Sequence, residues 1–166
     1  MTTDGSQEVL VGAARALAHD NDLASALATM LGTLAPAFGV GSTAIVTKGR
    51  DGGGLEIIAA SGLDETAAAG LSTAIASPAH PIARTFATPT ATYDVAPINP
   101  GGPALRSHLP LTVTRGGTET VLGVLALAHD RPIDVASRPI IEAVADLAAV
   151  AIERDLQGPG DPGSIS

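Results

Sequence analysis

Three aromatic residues, Phe38, Phe86 and Tyr93, serve a chain of 166 residues that is 45% hydrophobic, and no other feature constrains the fold as tightly. The core has to be assembled from Ala, Val, Leu and Ile, whose small side chains reach native packing density only between thin, closely spaced layers. A chain of this length makes one domain and buries about 70% of its unfolded surface, enough for a single core without staples. Cysteine is absent, which excludes disulfides, thiolate zinc sites, cysteine nucleophiles and thioether-linked chromophores. The formal net charge is −8 and Lys48 is the only lysine, so the chain has no basic surface of the kind that tracks phosphates, and nucleic acid is not an expected partner. No apolar run has the length of a membrane span, and Met1 to Gln7 lacks the basic-then-apolar order of a signal peptide. The expected location is the cytoplasm.

Hydrophobic periodicity divides the chain into elements. Leu10, Ala13, Ala14 and Leu17 recur at helical spacing. A second helix is predicted behind the N-cap candidates of His19-Asp20-Asn21-Asp22, carried by Leu23, Leu27, Met30, Leu31, Leu34 and Phe38 and closed by Gly39 and Gly41. Ser42 to Lys48 and Leu55 to Ala60 form a hairpin around the glycine-rich turn at 49–54. The alanine-rich stretch from Asp64 to Ala76 suits a helix, as does Pro81 to Phe86. Thr90 to Asp94 reads as a strand, and His108 to Thr114 with Thr120 to Ala128 as a second hairpin. The connection from Ala96 to Ser107 is rich in Pro and Gly and long for a compact domain, which predicts a mobile lid. A final helix begins between Asp134 and Arg138 and runs to about Leu156 with two adjacent apolar stripes. Ile140, Val144, Leu147 and Ala151 make one; Ile141, Ala148 and Ile152 make the other. The expected organisation is a flexible N-terminus over 1–6, one domain over 7–156 and a disordered tail over 157–166.

This order of helices and strands predicts an α+β fold, a central antiparallel sheet of five to six strands with segregated helices. The strings LASALATMLGTLAPAFGVGSTAIVTK, AASGL at 59–63, SHLPLTV at 107–113, GVLALA at 123–128 and IIEAVADLAAVAIER at 140–154 follow one another in an order and spacing that resemble the GAF domain family. The resemblance covers about Glu8 to Arg154. It implies terminal helices packed on one sheet face, and loops and short helices roofing a small-molecule pocket on the other. It also separates subfamilies. Bilin attachment and free methionine sulfoxide reduction both use cysteine, and the asparagine–lysine signature of cyclic-nucleotide binders has no counterpart at Lys48.

Enzyme signatures are missing: no phosphate-binding loop, nucleophile elbow or H-E-x-x-H string occurs. Ser107 and His108 are adjacent in a predicted strand, so they point to opposite faces and cannot form a dyad. His19 with Asp20 and Asp22, and His129 with Asp130, lie at element ends where capping is the ordinary role. Neither catalysis nor a metal is expected, and no cofactor is assigned. The family plan gathers His80, Arg84, Tyr93, Asp94, Arg106 and His108 around the pocket as ligand-binding candidates, polar groups converging on an apolar cavity. Taken singly, each has a plainer role. His80 caps the turn before Pro81, Arg84 faces water or pairs with Asp94, Tyr93 is an ordinary strand residue and Arg106 is a solvated loop charge. The reading that follows is a sensory domain that binds a small anionic or strongly hydrogen-bonding ligand. It relays occupancy through its terminal helices, which also make a homodimer and meet a signalling partner. The alternatives are an interaction module with a vestigial pocket, and a haem-based gas or redox sensor with His80 or His108 as axial ligand.

Overall fold

The computed structural model describes residues 9–15, 17, 22–49, 54–96 and 105–157. Helix α1 covers residues 9–15. Asp22 accepts a hydrogen bond from the Ser25 amide at 3.1 Å and so caps α2 (Leu23–Gly32). A single helix was expected through Phe38, but α2 stops at Gly32 and a short α3 (Leu34–Phe38) follows. Pro36 supplies the reason, since it has no N–H for the Gly32 carbonyl and its ring crowds that same carbonyl. Gly39 ends α3 in the left-handed region at φ 67° and turns the chain into β1 (Val40–Lys48). Strand β2 (Leu55–Ser61), the Asp64-capped α4 (Glu65–Ala74) and α5 (Pro81–Ala87) come next. They are followed by β3 (Thr92–Val95), β4 (Leu105–Arg115) and β5 (Thr118–His129). Asp134 caps a 3₁₀ turn over Val135–Ser137 that leads directly into α6 (Arg138–Gln157).

The five strands form one antiparallel sheet in the order β2-β1-β5-β4-β3. One face carries the main core, where Ile45, Leu109, Leu111, Leu125 and Leu127 pack against Leu27, Met30 and Leu31 of α2 and Ile141, Val144 and Ala148 of α6. The breadth of α6's apolar surface is thereby explained within the chain. Its residues 141, 144, 145, 148, 149 and 152 are all buried, because the helix touches β4 and β5 and also α2. The opposite face holds only a small cluster of Val46, Ile75, Ile82 and Val124. Beyond it the sheet is floored by alanines, and a cavity opens between them and residues of α4 and α5.

Two expectations change in the middle of the chain. Strand β4 begins at Leu105 rather than His108, so Arg106 and Ser107 are strand residues and not part of a lid; residues 97–104 lie outside the described residues. Pro110 is consequently mid-strand. It is accommodated because β3 begins only at Thr92, opposite His108, and so leaves that side of β4 without a partner strand at Pro110. The predicted termini at 1–6 and 157–166 also lie outside the described residues, except for Gln157, which is the last residue of α6. No described helix is long and apolar enough to cross a membrane.

Candidate functional site

Register builds the site from two rows across the sheet. In the first row Ser42 pairs with Ala128, which pairs with Arg106, which pairs with Val95. In the second, Ala44 pairs with Ala126, which pairs with His108, which pairs with Thr92. The alternation of strand side chains sends these rows away from the main core, and alanine at three of the positions leaves space above them. That space is a cavity of about 650 Å³, within the range that takes a drug-sized ligand. Its walls come from α4, from His80, Pro81, Ile82 and Arg84 at the start of α5, and from Gly62 and Leu63 after β2. Gly62 sits at φ 78°, and a Cβ there would collide with the Gly41 carbonyl, so only glycine fits this corner of the wall.

The polar groups that reach the cavity are cationic or neutral, and none of the described lining residues is Asp or Glu. His108 is 2% exposed and lines the cavity. Burial pushes its pKa down to about 4, and the neighbouring His80 and Arg106 charges act in the same direction. His80 has its pKa lowered by burial and then by Arg106. Its Nδ1 accepts from the Ile82 amide at 3.1 Å and caps α5, which fixes the neutral tautomer with its proton on Nε2. Arg106 carries a buried Nε with no acceptor among the described residues. Arg84 is exposed on α5 where that helix borders the cavity.

Of the six expected site residues, His80, Arg84, Arg106 and His108 are brought together and Tyr93 and Asp94 are not. Asp94 adopts φ 58°, and the β3–β4 register shifts between Thr92 and Val95. This irregularity breaks the alternation, so both Tyr93 and Asp94 turn to the helix face. The Tyr93 hydroxyl donates to Glu142 of α6 at 2.7 Å, the Arg138 guanidinium lies 4.3 Å from the Tyr93 ring centre, and burial with the Glu142 contact raises the phenol's pKa. Asp94 accepts from the Ile133 amide at 2.9 Å and from Arg138 Nη2 at 3.2 Å. Its partner is therefore Arg138 and not Arg84.

A buried network on the same face was not anticipated from sequence. His129 Nδ1 donates to the Arg131 carbonyl at 2.7 Å, which leaves Nε2 to accept from Ser107 Oγ at 2.9 Å, while Ser107 Oγ accepts from the Asp94 amide at 3.1 Å. His129 is thus a buried tie between strands rather than a surface cap. The other omission is the cavity's apolar lining. Ala126 and Ala128 follow strand alternation, and Ala67, Gly70, Leu71 and Ala74 follow helical spacing; both signals were present in the sequence.

No protein-family model and no curated protein sequence matches the chain. Solved structures do. The GAF domain of an Acinetobacter phosphoenolpyruvate-protein phosphotransferase superposes with a TM-score of 0.73 at 14% identity, over 95% of this chain and 98% of that one. The chain has a GAF-like fold. The GAF-B domain of DevS from Mycobacterium smegmatis is similar at a TM-score of 0.64 and 20% identity, covering 87% of this chain and 100% of that one. Free methionine-R-sulfoxide reductase from Neisseria meningitidis, solved with its substrate, reaches 0.71 at 15% identity over 95% of each chain. The GAF-like fold is thus shared by GAF domains of different proteins and by a reductase, and function has to be argued from this chain's own residues.

Proposed function

We propose that this GAF-like domain is a sensor: a small molecule occupies the cavity, and its presence is relayed to the terminal helix α6. The observation that carries the reading is the division of labour along one short strand. Val95 and the adjoining Ala96 line the cavity, while Tyr93 and Asp94, immediately before them, hold Glu142 and Arg138 in the first turns of α6 and Ile133 in the segment that leads into it. A ligand that shifts the end of β3 changes the grip on α6, and the left-handed Asp94 is the pivot. The sulfoxide reductase likeness is not extended to activity, because this chain has no cysteine to carry such a reduction.

A homodimer through α1 and α6 belongs to the same proposal. Val11 on α1 is 52% exposed, and Val150 and Leu156 on α6 are 45% and 59% exposed. The same residues support the second reading, an interaction module whose pocket has lost its ligand. Native mass spectrometry of freshly purified protein with an absorbance scan separates the readings. A bound small mass supports the sensor, a dimer with an empty cavity supports the interaction module, and a Soret band supports haem on His80 or His108.

A further inference from the structure

Helix α4 presents Ala67, Gly70, Leu71 and Ala74 to the cavity, the i, i+3, i+4, i+7 positions of one face. None of its residues is fully buried, and a Cβ built on Gly70 meets nothing within 4 Å. Leu71 packs in part against the Val46, Ile75, Ile82 and Val124 cluster, but Ala67, Gly70 and Ala74 stay exposed, so much of the helix's apolar face is uncovered among the described residues. The sheet floor offers complementary chemistry, with Arg106 and His108 projecting between alanines and no carboxylate among the described lining residues. The buried Arg106 Nε lacks an acceptor among the described residues, and the buried His108 lines the same cavity.

We propose that the cavity takes a carboxylic acid with an apolar body, its carboxylate held by Arg106 and His108 and its body covered by the Ala67–Ala74 face of α4. A planar carboxylate fits a guanidinium fork with two parallel hydrogen bonds. A phosphate is matched less well, because backbone donors are scarce at this end of the cavity: Pro81 has no N–H, and the Ile82 N–H is already held by His80. Neutral His108 still offers one ring N–H at pH 7; its pKa is lowered chiefly by burial, and the His80 and Arg106 charges that add to the shift make a positive field a carboxylate would relieve. The net charge of −8 does not oppose this locally, since charges beyond about 8 Å are screened at physiological salt.

The inference rests on the sensor reading and is tested by calorimetric titration of the full chain with phenylacetate and octanoate, compared with phenylacetamide, acetate and inorganic phosphate. The two amphipathic acids are expected to bind at least tenfold more tightly than the other three. Arg106→Gln should weaken the acids at least tenfold and leave the amide unchanged. Ala126→Leu, which fills the floor without altering charge, should weaken acid and amide alike. An amide as tight as its acid, or acetate or phosphate matching octanoate, overturns the proposal. Should native mass spectrometry show a neutral occupant that neither acid displaces, the carboxylate is refuted while the sensor stands. A cavity that is empty on purification and binds none of the probes refutes both.

Discussion

His108 makes the stability of this domain fall on the acid side of neutrality, by an amount that follows from its surroundings. Its pKa is about 4 in the folded chain against 6.5 for an unperturbed histidine. The unfolded chain therefore binds the proton first. Stability is fully present above pH 6.5 and is lost as pH falls towards 4, where the loss levels off. Linkage at 1.36 kcal/mol per pKa unit puts the loss at about 2 kcal/mol by pH 5 and about 3 kcal/mol at its limit. His80, lowered for the same reasons, adds to the loss with the same sign, since a proton on Nδ1 also removes the cap of α5. Urea denaturation of the wild type and His108→Gln at pH 7 and pH 5 isolates the term, because contributions from carboxylates and from His80 are common to both proteins. The difference between the two pH values should shrink by about 2 kcal/mol in the variant. Equal pH dependence in both proteins, or a His108 ring that titrates above pH 6 by NMR in the folded wild type, would refute the reasoning.

Three further outcomes follow from single contacts. Asp94→Ala removes the acceptor of Ile133 and Arg138 and places alanine at φ 58°, so it should cost about 2–4 kcal/mol in urea denaturation and speed amide exchange at Ile133; a loss below about 0.5 kcal/mol would show that the tie to α6 is slack. Leu125→Ala, in the centre of the main core, should lower stability by about 2–5 kcal/mol, and a smaller effect would mean that the aliphatic layers collapse onto the cavity. Gly62→Ala should destabilise by at least about 1–3 kcal/mol through the Gly41 carbonyl, measured by thermal melting, and an unchanged melting temperature would contradict the close approach.

The sheet and its helices were legible because their signals are local. Leu23, Leu27, Met30 and Leu31 keep one period through α2, and Asp22 and Asp64 stand where a cap must stand. The break between α2 and α3 was also written in the sequence, at Pro36, but the apolar repeat continuing to Phe38 outweighed it in the reading. The site was legible where strands alternate regularly, as at Arg106 and His108. It failed at Tyr93 and Asp94, where a residue with positive φ reverses the face, and nothing in TYDV announces that conformation. The Ser107–His129 tie was out of reach because it depends on the β4–β5 register, which brings together residues 22 apart in the chain. The small residues of the cavity went unnoticed because an alanine in a strand signals nothing until its neighbours across the sheet are known to be alanines as well.

The central claim, that the cavity is a ligand site coupled to α6, is tested most directly by hydrogen–deuterium exchange across the chain with and without saturating phenylacetate. The account predicts slower exchange both in α4, which gains a partner for its apolar face, and over residues 133–142, where Asp94 and Tyr93 hold the start of α6. Protection confined to α4, or no change in either segment, would contradict it.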